Sequence, residues 1–125
     1  MSDYSFNFDF VSAGAPIVTL SAFGIAFNAL SRSSLGYPEK INIGFDENKM
    51  TLGVQEHQPD TNIKYYEFEK KEKNGWVRIG CRDFAKYLAK ASGINFITGA
   101  KQFLATYDED RRMLIVHIDA EHLKK

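Results

Sequence analysis

Cysteine is almost missing from this chain, which has a single thiol, Cys81, among 125 residues. One thiol cannot form an internal disulfide, so the chain does not belong to the small secreted domains that disulfides hold together. A lone cysteine fits a reducing compartment. The sequence therefore predicts a cytoplasmic protein.

Charged residues are missing from residues 10–31, a run of 22 positions. The run is long enough to cross a bilayer as a helix. Asn28 is polar, however, and Pro16 and Gly24 interrupt a regular helix. Asp9 stands where a signal peptide would carry positive charge. Buried strands explain the run better, and we expect no membrane segment.

Motifs for catalysis or for a phosphate-binding loop are also missing. Cys81 lies beside Arg82 where a thiolate would be favoured, but no histidine is near it in the sequence to act as a base. The acids at positions 108–110 read as turn residues rather than as an acid–base pair. We expect a protein that is not an enzyme and needs no cofactor.

A metal site has little support in the sequence. His117, Asp119 and Glu121 alternate, and His122 follows them. Zinc accepts such ligands, but no cysteine pair or spaced histidine pair accompanies them. A strand running into a polar tail is the simpler interpretation, and we expect no metal.

Charge is present but unevenly spread. Net charge is zero, yet residues 1–62 hold three basic and seven acidic side chains, whereas residues 63–125 hold thirteen basic and nine acidic ones. The basic half could meet an anionic partner, the two halves could attract each other, or the charges could simply solvate the surface.

Periodicity predicts the elements of the first half. Aromatic residues alternate with polar ones over residues 4–10, which favours a half-buried strand. Short strands follow at residues 17–21 and 24–27, then a helix over residues 29–35 with Asn28 as its N-cap and Gly36 as its stop. Strands at residues 41–45 and 50–55 flank a polar turn, and residues 56–62 read as a linker.

The second half is predicted to contain a strand over residues 63–70, a solvated turn, a strand over 76–79 and a helix over 82–92 that ends at Gly93. Phe84, Ala85, Leu88 and Ala89 form its apolar stripe. A connector, a second hairpin and a polar tail from residue 119 complete the chain.

The two hairpins resemble each other. Residues 35–55 and the hairpin of residues 103–117 align without a gap at an offset of 62 positions. In this alignment Asp46 meets Asp108, and Leu52 meets Leu114. We predict an α+β, β-rich fold of two β-α-β-β units, residues 1–62 and 63–125, that share one core because neither half buries its sheet alone.

A short helix ending in Leu-Gly, set between a strand and a hairpin, is similar to AbrB-like swapped-hairpin domains; here the stretch reads GIAFNALSRSSLGYPEKINIGFDENKMTLGVQ. The family includes bacterial transition-state regulators and DNA-binding antitoxins. The resemblance implies that the chain is a fused pair of units forming one compact, barrel-like pseudo-dimer. It also implies binding to double-stranded DNA through basic residues on one face.

The family's first strand usually carries basic residues, but residues 17–28 have none. Arg78 and Arg82 stand in comparable places of the second half, and Arg82, Lys86 and Lys90 would form one ridge along the helix. The predicted DNA-contacting residues are Arg78, Arg82, Lys86, Lys90, Lys70, Lys71 and Lys73. An ordinary solvated helix face would have the same pattern.

The alternative function is a protein-interaction or oligomerisation module, of phage or mobile-element origin. It would use sheet edges or the aromatic strand of residues 4–10 to bind a protein partner or a second copy of the chain.

Overall fold

The computed structural model describes residues 15–124, which form nine strands, two α-helices and two short 3-10 helices. The strands are β1 (Ile17–Leu20), β2 (Gly24–Phe27), β3 (Lys40–Asp46), β4 (Thr51–Glu56), β5 (Tyr66–Glu67), β6 (Glu72–Lys73), β7 (Trp76–Gly80), β8 (Lys101–Asp108) and β9 (Met113–His117). Helix α1 spans Ala29–Leu35 and helix α2 spans Arg82–Ser92, and the 3-10 helices are Glu69–Lys71 and Ala120–His122.

All nine strands belong to one antiparallel sheet, in the order β5-β3-β4-β9-β8-β1-β2-β7-β6. A flat sheet of nine strands would be about 38 Å wide at about 4.8 Å per strand. Its two edge strands, β5 and β6, are separated by residues 68–71 alone, a segment that reaches about 18 Å at most. The sheet is therefore curled into a half-barrel.

The core lies on the concave side of this sheet. Alternate residues of the longer strands point inward, so that Val18 and Leu20 of β1, or Leu52 and Val54 of β4, are fully buried. Phe27, Phe68, Phe96 and Phe103 are the largest of the fully buried side chains. The predicted β-rich α+β class is confirmed, and the core draws on strands from both halves of the chain.

Helix α1 begins and ends where the sequence predicts. The Asn28 side chain accepts a hydrogen bond from the Ser31 backbone N–H at 2.9 Å, and Gly36 ends the helix in the left-handed conformation with φ of 80°.

Helix α2 also has its predicted bounds, with Gly93 at its end (φ 74°). Its first-turn acid, Asp83, does not cap it, because the N-cap position is held by Cys81 without a side-chain hydrogen bond. Ala85 and Leu88 are buried, and Phe84 and Ala89 are partly buried against the core.

Asn28 is also a structural link between α1 and β1. Its Oδ1 accepts from the Ile17 N–H at 3.0 Å as well as from Ser31, and its Nδ2 donates to the Ala15 carbonyl at 3.0 Å. We expect Asn28→Ala to lower the free energy of unfolding by about 2–3 kcal/mol, because a cap and two further hydrogen bonds are lost together. Urea denaturation measures this loss.

Asn28→Asp is the matched control for that substitution. It keeps the oxygen that accepts from Ile17 and Ser31 but sets a carboxylate oxygen against the Ala15 carbonyl, so it should cost about 1–2 kcal/mol, less than Asn28→Ala. Equal losses in the two variants would contradict the assignment of the main effect to the cap.

The predicted strand over residues 63–70 is wrong for most of its length. Only Tyr66 and Glu67 pair with β3, and the chain then turns through the 3-10 helix into β6, inside the stretch expected to be a solvated turn. Phe68 is the one buried residue of the range 61–73. A single anchor is too little to hold a long strand on a sheet edge.

The tail after β9 is more ordered than its polarity suggests. Asp119 caps the second 3-10 helix by accepting from the His122 N–H at 3.0 Å, and Leu123 forms a β-bridge with Phe103. The predicted aromatic strand of residues 4–10 lies outside the described residues. Neither helix of residues 15–124 is long and apolar enough to cross a membrane.

Candidate nucleic-acid interface

Strand β7 presents one face to the core and the other to solvent. Val77 and Ile79 point inward and are buried, so the alternation turns Trp76 and Arg78 outward. On β2, Ala26 pairs with Arg78, and Gly24 pairs with Gly80. These small partners leave open space beside the long guanidinium side chain.

Two arginines and two aromatic rings follow each other along this outer face. The Arg78 Cζ lies 5.8 Å from the Trp76 ring centroid, and the Arg82 Cζ lies 5.6 Å from the Phe23 ring centroid. The Phe23 ring rests on Gly80, where an added Cβ would meet it at 3.3 Å. We call Trp76, Arg78, Phe23 and Arg82 the aromatic–cation stripe.

The stripe holds its cations in a defined place without neutralising them. A guanidinium over an aromatic ring gains on the order of 0.5–1 kcal/mol at an exposed site and keeps its full charge. Its N–H groups lie in the plane of the guanidinium, so they stay free to bind an anion in bidentate fashion. Arg78 and Arg82 are both exposed.

A surface cavity of about 510 Å³ lies beside the stripe on the outer face of β1, β2, β7 and β8. Thr19 and Gln102, which pair across β1 and β8, line it together with Phe23, Trp76 and Arg78. The Thr19 Oγ1 is buried and has no hydrogen-bond partner within residues 15–124. A ligand entering this cavity would meet the Arg78 guanidinium and the Gln102 amide, whereas the Thr19 Oγ1 is closed off from solvent.

The predicted DNA-contacting residues fall into three groups around β7. Lys73 lies on β6 opposite Trp76, and Lys70 and Lys71 lie in the adjoining 3-10 helix. Arg78 belongs to the stripe itself. Arg82 continues from the stripe into α2, whose exposed lysines follow at intervals of four residues: Lys86 and Lys90.

Three acidic side chains near Lys70, Lys71 and Lys73 already have partners. Arg32 donates two hydrogen bonds to the Glu69 carboxylate, one from Nε to Oε2 at 3.3 Å and one from its terminal nitrogen to Oε1. The hydrogen bonding to Glu69 raises the pKa of Arg32. The Glu72 carboxylate accepts from the Gly75 N–H at 2.8 Å. Glu67 lies 3.6 Å from the Lys70 Nζ. Lys71 and Lys73 carry no salt bridge within the part of the chain that the structure describes.

Sequence inspection missed two of the four members of the stripe. Trp76 precedes Arg78 by two positions, so strand alternation alone places both on one face. Phe23 lies in the loop between β1 and β2, and its contact with Gly80 depends on the pairing of β2 with β7. No local pattern encodes that pairing.

Cys81 does not have the activated environment that its position suggested. Burial raises the pKa of its thiol, which opposes thiolate formation, and its Sγ lies 3.8 Å from the Ile79 carbonyl oxygen. The thiol is therefore a half-buried packing group.

Within residues 15–124, no three side chains of histidine, cysteine, aspartate or glutamate are grouped so that they could hold a metal ion. His117 and His122 do come together, with ring centroids 4.8 Å apart, whereas Glu121 makes no hydrogen bond to either ring.

Searches among known proteins returned no match: no family model, no curated protein and no solved structure is similar to this chain. The likeness to AbrB-like domains therefore stays a prediction from the sequence.

Proposed function

We propose that the protein is a non-enzymatic, DNA-binding regulator of the AbrB-like type that contacts double-stranded DNA through the aromatic–cation stripe. The observation that supports this most directly is the placement of Arg78 over Trp76 on β7 and of Arg82, at the start of α2, over Phe23 in the β1–β2 loop. Two charged, prepositioned donors close together on an exposed surface suit contact with the phosphate backbone.

Flanking lysines extend the same surface. Lys73 adjoins the Trp76 end, and Lys86 and Lys90 continue from the Arg82 end along α2. Three neighbouring acids, Glu67, Glu69 and Glu72, are engaged with Lys70, Arg32 and a backbone group, so they oppose an approaching phosphate less than their number suggests. Asp83 lies exposed beside Arg82 and reduces the positive charge at that end of the stripe. The overall charge of zero is compatible with binding, because phosphate contact depends on local clustering.

The proposal includes a duplicated architecture. In the sheet, β4 pairs with β9 so that Gly53 lies opposite Ile115, its own equivalent at the offset of 62. Both hairpin turns are built alike: Asp46 Oδ1 accepts from the Lys49 N–H and Asp108 Oδ1 from the Arg111 N–H, each at 3.1 Å. Such agreement supports two units related by an approximate two-fold axis through the β4–β9 pair.

Corresponding backbone strain strengthens that argument. Met50 and Arg112, again 62 positions apart, both have positive φ, of 48° and 54°. Non-glycine residues adopt this conformation in a few per cent of cases. The DNA-contacting half would then be the second unit, because β1 and β2 of the first carry no basic residue.

We expect the full chain to bind duplex DNA at low salt, with an affinity that falls steeply as salt is raised. The double substitution Arg78→Ala/Arg82→Ala should weaken binding on the order of 10–100-fold. It should also reduce the slope of log K against log salt by about 2, because the DNA releases about one counterion fewer for each phosphate contact that is lost. Fluorescence anisotropy over a salt series measures both quantities.

The control is Arg111→Ala/Arg112→Ala, which also removes two positive charges. These residues lie in the exposed β8–β9 turn, at the end of β8 that is away from Gln102 and the cavity. It should leave the slope nearly unchanged. Equal losses in the two double variants would show that net charge, not the stripe, governs binding. Absence of binding at about 50 mM salt, where phosphate contacts are strong, would refute the proposal.

The interaction-module alternative has one observation in its favour. A groove of about 570 Å³ on the outer face of β3, β4 and β9 has an apolar floor that includes Met113 and Ile115. Charged side chains of the two hairpin turns also line it: Asp46, Lys49, Asp108 and Arg111. Absence of DNA binding, together with a dimeric mass in analytical ultracentrifugation, would favour this alternative.

A further inference from the structure

Two histidines meet where β9 ends. His117 is the last residue of β9 and His122 the last residue of the 3-10 helix that follows. Their ring centroids are 4.8 Å apart and the ring planes are inclined by 44°. The pair lies outside the aromatic–cation stripe, since β8, β1 and β2 separate β9 from β7 in the sheet.

Hydrogen bonds determine which nitrogen of His117 carries the proton. The Thr51 hydroxyl has one hydrogen, and its Oγ1 lies 2.8 Å from the Lys49 carbonyl, which can only accept. The same oxygen must therefore accept its second hydrogen bond, from His117 Nδ1, which lies 3.0 Å away. In the neutral imidazole of His117, Nδ1 therefore carries the hydrogen and Nε2 holds the lone pair.

The same holds for His122 through a different partner. Its Nδ1 lies 2.6 Å from the Asp119 Oδ1, and an ionised carboxylate can only accept. The neutral imidazole therefore also holds its hydrogen on Nδ1 and its lone pair on Nε2. A carboxylate behind the ring, as Asp119 provides for His122, is the arrangement that orients metal-binding histidines in proteins. The Thr51 hydroxyl holds the His117 ring from the same side, at Nδ1.

We propose that His117 and His122 bind one late first-row divalent cation, Zn²⁺ or its neighbours, through their two Nε2 atoms. With Zn–N bonds of about 2.0–2.1 Å and tetrahedral angles, two imidazoles on one ion have ring centroids about 5 Å apart. The rings are already at nearly that separation. Water completes the coordination, because no third protein ligand from residues 15–124 joins the pair.

Binding at this site would tie the polar tail to the first hairpin. Thr51 begins β4, and its hydroxyl reaches both Lys49 in the β3–β4 turn and His117. An ion held by both rings links that turn to the 3-10 helix. It should raise the melting temperature in proportion to the logarithm of its concentration above the dissociation constant.

The experiment uses the untagged full chain after treatment with a chelator, titrated with Zn²⁺ in competition with a chromophoric chelator. We expect one ion per chain. His117→Ala and His122→Ala should each abolish this binding and the accompanying rise in melting temperature. Asp119→Asn should weaken binding about 10–100-fold, because the carboxylate no longer orients the His122 ring.

His57→Gln is the control, because the remaining histidine lies away from the pair, with its Nδ1 at 2.9 Å from Asn42 Nδ2. It should bind zinc like the natural chain. Circular dichroism of each variant without metal checks its fold. Absence of stoichiometric binding by the natural chain, or unchanged binding in a folded His117→Ala variant, would overturn the proposal.

Discussion

Replacing Gly24 with alanine is expected to lower the free energy of unfolding by about 3–5 kcal/mol, the largest effect among the glycines of residues 15–124. A Cβ at this position would lie 2.1 Å from the Ile79 carbonyl oxygen and 2.8 Å from the Cys81 nitrogen. Both are backbone atoms, so no side-chain rotation relieves the clash. Gly24 also has φ of 151°, which alanine adopts only under strain.

The clash acts on the β2–β7 pairing, one of the strand pairings that join the two halves of the chain. Gly24 pairs with Gly80, and the Cys81 N–H donates to the Phe23 carbonyl at 3.0 Å. Relief of the contact requires β2 and β7 to separate locally, which costs ladder hydrogen bonds. Thermal denaturation should show a fall in melting temperature on the order of 10–20 °C.

Two further glycines serve as controls for the Gly24→Ala prediction. Gly44 is also within a strand, has nothing within 4 Å of an added Cβ, and its alanine variant should be nearly neutral. Gly36 has equally open space but φ of 80°, so Gly36→Ala should cost about 1–2 kcal/mol through backbone strain alone. If Gly24→Ala were no worse than Gly36→Ala, the close approach of β2 and β7 would be disproved.

Phe68→Ala is expected to cost about 3–5 kcal/mol, as usual for a fully buried phenylalanine. Phe68 has no exposed surface and packs edge-on against Phe27 with ring centroids 5.2 Å apart. It lies between β5 and β6, the two edges of the sheet. Removal of the Phe68 ring should therefore weaken the pairing of both edge strands, β5 with β3 and β6 with β7, and should also leave a cavity in the core.

Hydrogen exchange distinguishes this local release from general destabilisation. The Phe68 N–H donates to the Glu39 carbonyl at 2.8 Å and the Glu69 N–H to the Pro38 carbonyl at 3.2 Å. In the variant, these two amides should lose more protection than amides of β4. Ile63→Ala, in the same segment but 53% exposed, should leave both stability and protection nearly unchanged.

Much of the fold follows from short-range signals. Asn28, Gly36 and Gly93 mark helix ends by side-chain capping and left-handed backbone, and these effects act within four residues. The hairpins follow from apolar alternation around polar turns, with aspartate side chains binding the turn backbone. Local chemistry of this kind can be read without knowing the rest of the chain.

The prediction was wrong where order depends on a distant partner. The segment Tyr66–Lys73 mixes aromatic and charged residues, so its composition favours no single structure. Its conformation depends on the packing of Phe68 against Phe27 and on the pairing of β5 with β3 and of β6 with β7. Ion pairing contributes too, since Glu69 meets Arg32 from the other half. The Phe27–Phe68 and Arg32–Glu69 contacts join residues about 40 positions apart, and composition does not specify them.

By itself, the sequence determined the helices, most strands, the two alike hairpins and the candidate basic residues, because capping, alternation and turn chemistry are local. Only the tertiary structure decided that β2 pairs with β7 and β4 with β9, that Phe23 lies beneath Arg82, and that His117 faces His122. The physical reason is register: antiparallel pairing depends on which apolar faces are buried together, and that is a property of the whole core.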